Sequence, residues 1–578
     1  MALETTARSL SRPAGLRIAG WLAAHRAGLV VLGFAVAATA INAVWLVQDR
    51  HGGAVGIDEA GYLALAVSDH VQLIHNGPLT LAHFVLQQPV QPPLVTVLSS
   101  LVFLVTGGPS VLGAFAVQLG AYAITIVLSF AIARRLAGTL PGIVTAIVVA
   151  STPIALDYTH EYLFAIPSSA AFTAAVWAAL NSNGLTRLRW SLLWGIALGA
   201  MVLSRSLTLA FIPAFAFLAL VQILQSADRR RALAGLGSGT AAAAFVAAPW
   251  YVSQGGSVVR YLTTYGYGTT SYLYGARTSP LSLASLSNFV EVNINEYLWL
   301  PLTIVLLIGG IAIVARAVTA LSHRRFRELL ASPWFYVGFV VVEGLVALES
   351  TRNSGLGFVA PVVPCLVALG VSGLLHQLSG RVAVAVAAAV IIVAAAPPWL
   401  GKMPLHEPTA APVTVDVPGL GPVSVFDTLT AFDLAAAGEI DHRDPKGSGW
   451  STAARVLVAD VDKLAAPTSQ AFRVIFAFNN QLLNVNTFRL DQLLATGVGV
   501  DVNLLAAPAA RSTGSYGAQL HNLAGEGEAF VLIRDSAHGD FQPPPDPSAV
   551  AAAAHRIGFA KRDSLRLPDG SRVDVWQR

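Results

Sequence analysis

Residues 56–66 read Gly-Ile-Asp-Glu-Ala-Gly-Tyr-Leu-Ala-Leu-Ala and follow the first long apolar run, residues 28–47. Two adjacent carboxylates, Asp58 and Glu59, therefore stand just beyond a predicted membrane span. If the segment is helical from Asp58, Tyr62 lies four residues further on and shares their face. An apolar stripe occupies another side of this helix: Leu63, Ala66 and Val67. The pattern predicts a helix lying on the membrane with an acidic, aromatic edge, although the spacing alone also fits a solvated carboxylate pair that helps to set the topology.

The composition of the chain is that of a membrane protein. Of its 578 residues, 54% are hydrophobic and 12% are charged, and the mean hydropathy is +0.62. A soluble protein carries roughly 25% charged residues. The basic residues are scattered among apolar runs rather than gathered in a stripe with aromatic residues, so nucleic acid is not favoured as a partner. Cys365 is the single cysteine, which excludes an intrachain disulfide and a cysteine-based metal site.

The distribution of arginine sets the predicted topology, because cytoplasmic loops are enriched in Arg and Lys. The apolar stretch 92–105 is about 21 Å long as a helix, shorter than the roughly 30 Å hydrocarbon core. If it does not cross, the later basic clusters all fall on the cytoplasmic side, so we predict a juxtamembrane helix in the first outer loop. The run 28–47 is long enough to span, which predicts an uncleaved first transmembrane helix with a cytoplasmic N-terminus.

These considerations predict a polytopic α-helical protein of the cytoplasmic (inner or plasma) membrane with about eleven transmembrane helices. The C-terminus then lies outside the cytoplasm. Long outer loops are predicted at 48–109 and 251–296, and a short one at 156–166. The predicted spans are 28–47, 110–133, 139–155, 167–182, 190–204, 207–225, 233–250, 297–315, 333–350, 356–376 and 382–400.

The composition changes after the last apolar run. Prolines mark a predicted linker at 401–412, which divides the chain into a membrane part, residues 1–400, and a soluble extracytoplasmic α/β domain, residues 413–578.

Within this C-terminal domain, 455–458 and 530–533 are predicted strands. A helix is predicted from Asp546-Pro547 to the region of Gly558, because Pro favours the first helical turn and Gly the position after the end. Residues 565–575 predict a hairpin that turns at Asp569-Gly570.

Arginines predicted on the outer side run against the positive-inside pattern and so require a reason. Arg205, Arg260, Arg277 and Arg352 are such residues, with Arg50 at the edge of the first span as a weaker case. Guanidinium binds phosphate oxygens in pairs, so these side chains suit a phosphate at headgroup depth. The alternative is that each extends to the lipid headgroups without a specific ligand.

Acidic residues gather at the same predicted level of the membrane. Asp157, His160 and Glu161 share a short outer loop and could ligate a divalent metal, although three scattered ligands are weak evidence for one. Glu343 lies inside a predicted span, where an ionisable residue is costly and is either functional or a partner of an outer arginine. The chain has no GxSxG, HExxH or P-loop spacing, so neither a soluble-enzyme active site nor a nucleotide site is predicted.

Several short motifs occur in an order that is typical of one class of enzyme. The Asp58-Glu59 stretch opens the first outer loop, Gln91-Pro92-Pro93-Leu94 follows it, Pro249-Trp250-Tyr251 opens the large outer loop, and Thr351-Arg352 precedes two prolines, Pro361 and Pro364. Over residues 28–400 this order resembles the GT-C class of membrane glycosyltransferases, and within it the protein O-mannosyltransferases and the lipid A aminoarabinose transferase.

The resemblance implies transfer of a sugar, with inversion, from a polyprenyl-phosphate donor to a hydroxyl of a cell-envelope glycan, lipid or protein. Asp58 would be the general base that deprotonates this hydroxyl. Glu59 and Tyr62 would orient Asp58 or the sugar. Positioned arginines would stabilise the leaving phosphate; the candidates are Arg205, Arg260 and Arg352.

The remaining substrate-binding candidates come from positions where the class has polar residues. Some relatives carry a second Asp in the next outer loop, where this chain has Asp157, His160 and Glu161. The sequence departs from the class at two positions. Gln91 stands where many relatives have a Lys that contacts the lipid phosphate, and Gly61 stands where they often have an Arg.

Two other classes of function remain open at this point. A transporter or flippase of lipid-linked sugars would use the same arginines without a base, but such proteins often have repeated halves or broken helices at the midplane, and neither is evident in the sequence. An envelope scaffold would bind glycan through its C-terminal domain. The predicted partners are the donor lipid, the acceptor and membrane lipids; no cofactor is indicated beyond the possible divalent metal.

Overall fold

The computed structural model describes residues 14–88, 91–268, 270, 279–351, 357–403, 413–427, 444, 446–465, 472–506, 513–538, 540 and 545–578. Up to residue 403 the described chain is helical. The first helices are α1 (Ala14–Asp49), α2 (Ile57–Gln87), α3 (Leu94–Thr106), α4 (Val111–Ala137), α5 (Thr139–Ala150), α6 (Pro153–Thr159), α7 (Ala165–Asn181) and α8 (Leu188–Ser204). A short 3₁₀ helix, Ser206–Phe211, leads into α9 (Ile212–Gln225).

The second half of the helical part begins with α10 (Arg229–Tyr261) and is interrupted by π-helical turns at Leu262–Gly266, Asn293–Leu298 and Ile391–Ala395. Its other helices are α11 (Leu283–Val292), α12 (Trp299–Ser322), α13 (Phe326–Ala331), α14 (Pro333–Ser350), α15 (Val363–Leu375), α16 (Gly380–Val390) and α17 (Ala396–Lys402).

Each of the eleven predicted spans overlaps a helix of the described chain, although residues 357–362 of the span predicted at 356–376 are turns that precede α15. Seven helical segments are long and apolar enough to cross a membrane, and an eighth is added if the pair α5 and α6, bent by 50°, counts as one span. The other three, α7, α8 and α15, have 17 residues or fewer. The predicted juxtamembrane stretch 92–105 is the 13-residue helix α3. The prediction of a polytopic helical membrane protein is therefore confirmed.

Small residues let the helices of the bundle approach closely. A Cβ on Gly195 of α8 would lie 1.8 Å from the carbonyl oxygen of Gly239 on α10, and a Cβ on Gly309 of α12 would lie 1.9 Å from that of Gly370 on α15. Backbone contact of this kind is how helices pack in lipid, where there is no hydrophobic driving force between them. A side chain at Gly195 or Gly309 would force these pairs apart.

Helix α2 contains the opening stretch and is bent near its middle. Gly77 has φ +82°, which only glycine adopts readily, and Pro78 follows it. The first half buries Ala60, Leu63 and Val67 in a shared apolar cluster. The predicted apolar stripe of Leu63, Ala66 and Val67 is present, but all three side chains are buried against protein, so the stripe is not the lipid-facing side of a helix that lies on the membrane.

The C-terminal region contains two sheets. An exposed hairpin of β1 (Val413–Val417) and β2 (Gly421–Phe426) precedes a five-stranded sheet in the order β4-β3-β5-β7-β6. Its strands are β3 (Arg473–Phe476), β4 (Asp501–Leu504), β5 (Ala529–Arg534), β6 (Ala560–Arg566) and β7 (Arg572–Gln577), and its helices are α18 (Ser448–Leu464), α19 (Val485–Thr496), α20 (Thr513–Ala524) and α21 (Pro547–Arg556). Strands β3, β4 and β5 are parallel, β7 pairs with β5 antiparallel, and β6 pairs with β7 antiparallel.

Most of the predicted elements of this region are confirmed. Strand β5 includes 530–533 and is fully buried, helix α21 begins after an N-cap at Asp546, and β6 and β7 form the hairpin, with Gly570 at φ +85° in its turn. The predicted strand at 455–458 is wrong, because these residues lie in α18, which buries Trp450 and Leu457 at helical spacing. The predicted linker, 401–412, begins inside α17, and residues 404–412 lie outside the described chain.

Candidate active site

The first turn of α2 is fixed by a buried ion pair. Arg50, just after α1, donates from Nη2 to Glu59 Oε2 at 2.6 Å, and both side chains are almost completely buried. The other Glu59 oxygen accepts the backbone N–H of Tyr162 at 3.0 Å. Both carboxylate oxygens of Glu59 are thus engaged by the protein. This geometry suits Glu59 for stabilising the first turn of α2. It leaves the neighbouring Asp58 as the carboxylate that can react with a substrate.

Asp58 is exposed on the first turn of α2, one residue before the buried Glu59. Surrounding protein removes enough water to raise the pKa of Asp58, and the positive charge of Arg205 opposes this effect. The N-terminus of a helix also favours a negative charge. Asp58 is therefore an accessible carboxylate. Its surroundings increase its affinity for a proton, and the charge of Arg205 reduces this increase.

Tyr62, one turn along α2 from Asp58, interacts electrostatically with it. The Gln91 side chain hydrogen-bonds the Tyr62 side chain. The Tyr62 ring packs at 4.1 Å from the ring of Phe164. Burial, and then the charge of Asp58, raise the pKa of the Tyr62 hydroxyl, so it is protonated and can donate a hydrogen bond.

Arg205 is brought to the same place by a break between two helices. It has extended backbone, φ −157° and ψ 124°, between α8 and the 3₁₀ helix. Its Nη1 donates to Gly357 O at 3.0 Å, and its guanidinium lies 4.0 Å from the centre of the Phe358 ring. The side chain is only partly buried. Arg205 is thus a held cation close enough to act electrostatically on both Asp58 and Tyr62.

The other arginine candidates are placed differently. Arg260 is exposed in the last turn of α10, next to Tyr261, which interacts electrostatically with both Tyr62 and Arg205. Arg277 and Arg352 lie outside the described residues. Of the described candidates, Arg205 is the cation that the fold places against Asp58.

The segment 157–161 forms a buried polar layer behind the first turn of α2. Asp157 pairs with Lys402 of α17 at 3.2 Å, and both are buried. His160 stacks on Trp45 with ring centres 3.8 Å apart and hydrogen-bonds Asn42 through Nε2 at 2.8 Å. Burial lowers the pKa of His160, so its ring is neutral.

Glu161 completes this layer and is also buried. Burial and the adjacent Glu59 carboxylate raise its pKa. Asp157 and His160 are directed to different partners, and the described part of the chain holds no group of three or more His, Cys, Asp or Glu side chains that could bind a metal. The metal site that the sequence allowed from Asp157, His160 and Glu161 is therefore not formed by these residues.

Three residues that contact the site were not predicted from the sequence. Lys402 pairs with Asp157 across the bundle, Phe358 lies against Arg205, and Asn486 of α19 contacts α2. Lys402 carried a signal, because it is the first lysine in the chain and follows the last apolar run. Phe358 and Asn486 carried none, since each acts through a contact between segments far apart in sequence.

The Arg50–Glu59 pair gives a prediction about stability. Glu59→Gln should lower the free energy of unfolding by about 3–5 kcal/mol, because it leaves the buried Arg50 charge without its partner. Thermal unfolding of the purified protein in detergent measures this, with Glu328→Gln at an exposed position as the control. The double variant Arg50→Met/Glu59→Leu should recover much of the loss. An unchanged unfolding temperature in Glu59→Gln would show that the pair contributes nothing.

Comparison with known proteins agrees with this geometry. Residues 90–251 match the family model described as dolichyl-phosphate-mannose-protein mannosyltransferase. The fold is similar to that of ArnT from Cupriavidus metallidurans bound to undecaprenyl phosphate, with 13% identity, a TM-score of 0.53, and coverage of 96% of this chain and 98% of that one. It is also similar to the oligosaccharyltransferase AglB from Archaeoglobus fulgidus in complex with an inhibitory peptide and a dolichol-phosphate, with 11% identity, a TM-score of 0.54, and coverage of 96% and 74%. No curated protein sequence matches significantly.

The family model covers residues 90–251, and the fold of nearly the whole chain is similar to that of these two solved structures, which agrees with a resemblance to the GT-C class of membrane glycosyltransferases. The resemblance predicted from its short motifs is confirmed. The match at 90–251 includes Gln91 and Arg205, whereas Asp58 precedes it.

Proposed function

We propose that the protein is an inverting glycosyltransferase that moves a sugar from a polyprenyl-phosphate donor to a hydroxyl of a cell-envelope acceptor. The observation that carries the proposal is the juxtaposition of an exposed carboxylate, Asp58, with a held cation, Arg205. A carboxylate can take a proton from an attacking hydroxyl, and a guanidinium can bind a departing phosphate. These are the two groups that such a transfer requires.

The steps follow from the positions of these groups. Asp58 accepts the proton of the acceptor hydroxyl as its oxygen attacks the anomeric carbon. The bond from that carbon to the phosphate oxygen breaks on the opposite face, which inverts the configuration. The polyprenyl phosphate leaves with both bonding electrons, and Arg205 stabilises the negative charge that develops. Tyr62 lies beside Asp58 with its hydroxyl protonated and can donate a hydrogen bond to the sugar.

The choice of donor is supported by two similar folds. The ArnT structure holds undecaprenyl phosphate, and the AglB structure holds a dolichol-phosphate. Both ligands are phosphates on long prenyl chains. Arg260 is exposed at the end of α10, next to Tyr261, which interacts electrostatically with Arg205, and we propose Arg260 as a second cation for the phosphate. The lysine that many relatives carry is replaced by Gln91, which bonds Tyr62 here, so we assign the phosphate to Arg205 and Arg260.

The side of the membrane follows from the arginine distribution. With the N-terminus in the cytoplasm, the positive-inside pattern puts α2, Arg205 and the C-terminal region at the outer face of the cytoplasmic membrane. An acceptor hydroxyl of the envelope would reach Asp58 from that side.

The test is a panel of polyprenyl-phosphate sugars, pentoses and hexoses, incubated with the purified protein and an envelope extract as the acceptor source. We expect one donor to be consumed, with release of polyprenyl phosphate and a product of inverted anomeric configuration seen by NMR. Retained configuration would overturn the single-displacement mechanism. Binding of donors with no release from any of them would favour a transporter of lipid-linked sugars.

A further inference from the structure

The C-terminal region contacts the helix turn that carries Asp58. The side-chain amide of Asn486, in the first turn of α19, donates from Nδ2 to the backbone oxygen of Ile57 at 2.9 Å. Ile57 is the residue immediately before Asp58. Leu490 and Leu493, further along α19, share an apolar cluster with α2. An amide from a separate region of the protein is therefore bonded to the backbone next to Asp58.

The contact is close enough to restrict the sequence of α2. A Cβ added to Gly61 would lie 3.0 Å from Nδ2 and 3.3 Å from Cγ of Asn486. This is closer than ordinary van der Waals contact, so a side chain at position 61 would require the amide to shift by a few tenths of an ångström and would disturb its bond to Ile57. Gly61 has a helical backbone and no conformational need for glycine. The approach of Asn486 gives a physical reason for the glycine.

Asn486 is itself held firmly. Asn484 caps α19 by accepting the N–H groups of Asn486 and Thr487, and the Thr487 hydroxyl accepts the Asn484 N–H in return. This reciprocal arrangement fixes the start of the helix. The amide that reaches α2 therefore projects from a well-defined turn.

The loop before α2 is tied to the same region. Ser451 of α18 donates to Gly53 O at 2.6 Å, and the Ala54 N–H donates to Lys446 O at 2.8 Å. The Lys446 ammonium donates to Gln48 O at the end of α1. The C-terminal region thus contacts the chain on both sides of Arg50 and again at Ile57.

We propose that Asn486 is a positioning residue for the transfer reaction and that its bond to Ile57 directs the Asp58 carboxylate toward the acceptor hydroxyl. The inference rests on the proposed function, because it assigns Asp58 the role of base. The bond to Ile57 adds to the Arg50–Glu59 pair in fixing the first turn of α2, on which Asp58 lies. A displacement of about 1 Å at a reacting group can cost on the order of 10²-fold in rate. The C-terminal region is then a working part of the active site.

The first test is Asn486→Ala, assayed with the donor that the panel identifies. We expect kcat to fall by about 10–100-fold, with the KM for the donor and the binding of undecaprenyl phosphate unchanged. Asn503→Ala is the matched control, because its amide bonds Asp501 within the sheet and does not contact α2. A kcat equal to that of the unsubstituted protein would overturn the inference.

The second test separates the hydrogen bond from packing. Asn486→Asp has nearly the same shape but cannot donate to Ile57 O, and it places a carboxylate beside Asp58. A like charge raises a carboxyl pKa, so the acidic limb of the kcat/KM profile should move to higher pH. An unmoved limb would show that position 486 does not act on Asp58, and that result would contradict the proposal.

The third test uses Gly61→Ala and the double variant Gly61→Ala/Asn486→Ala. Both single variants should lower kcat by disturbing the same bond, so the double variant should be no slower than Asn486→Ala alone. Multiplied losses in the double variant would mean that the two positions act independently, against the proposal. Asp58→Asn distinguishes failure of the proposed function from failure of the role of Asn486. Full activity in Asp58→Asn would rule out the proposed function. An inactive Asp58→Asn together with a fully active Asn486→Ala would rule out only the role of Asn486.

Discussion

Asp58→Asn should lower kcat by about 10²–10⁴-fold, the contribution typical of a general base. The amide keeps the shape of the side chain but cannot accept a proton from the attacking hydroxyl. Because Asp58 is exposed and Glu59 makes the buried ion pair, the unfolding temperature and expression should not change. Steady-state transfer from the identified polyprenyl-phosphate sugar measures the effect.

A surface carboxylate supplies the control for this substitution. Asp416 lies on the exposed strand β1 of the hairpin, and Asp416→Asn should transfer sugar at the unsubstituted rate. Asp58→Asn activity within a few-fold of that control would mean that another group takes the proton. Asp157 and Glu161 are poorly suited to replace Asp58, since both are buried behind the turn.

The second large effect is expected at Arg205. Arg205→Ala should lower kcat by about 10²–10³-fold, the loss typical of one donor to a developing negative charge. Arg205→Lys should recover only part of this, because an ammonium keeps the charge but neither binds phosphate in the paired manner nor stacks on Phe358 as a planar group. Single-turnover release of polyprenyl phosphate isolates the chemical step.

Removal of Arg205 should also change the pH dependence. Arg205 lowers the pKa of Asp58 against the effect of burial, so its loss should raise that pKa. Asp58 acts as a base only when ionised, so the acidic limb of the kcat/KM profile should move to higher pH. Arg230→Ala, at an exposed position of α10, should change neither rate nor profile. An unmoved limb in Arg205→Ala would show that the two groups do not interact.

Much of the fold could be predicted because the lipid bilayer restricts the secondary structure that a membrane-spanning segment can adopt. A segment in hydrocarbon must satisfy its backbone hydrogen bonds internally, so long apolar runs predict helices, and each predicted span overlaps a helix of the described chain. The strand predicted at 455–458 failed for a related reason. Its run of Val and Leu suits a strand by composition, but Trp450, Ala454 and Leu457 share the buried face of a helix.

The candidate site, like the fold, could be predicted only in part from the sequence. Asp58 and Arg205 could be predicted to lie at one level of the membrane because the topology put both on the outer side, and in the structure the charge of Arg205 acts on Asp58. The role of Glu59 could not be predicted from spacing, since its partner Arg50 becomes apparent only when α1 and α2 are folded against each other. The Asn486 contact joins segments more remote still, and in the sequence Gly61 shows only as a departure from the class.

The most direct measurement is a cryo-EM structure of Asp58→Asn with the identified polyprenyl-phosphate sugar bound. The account predicts the donor phosphate at hydrogen-bond distance, about 3 Å, from the Arg205 guanidinium, with the anomeric carbon facing residue 58 and room for an acceptor hydroxyl between them. A phosphate bound away from Arg205, or a sugar turned away from residue 58, would contradict it.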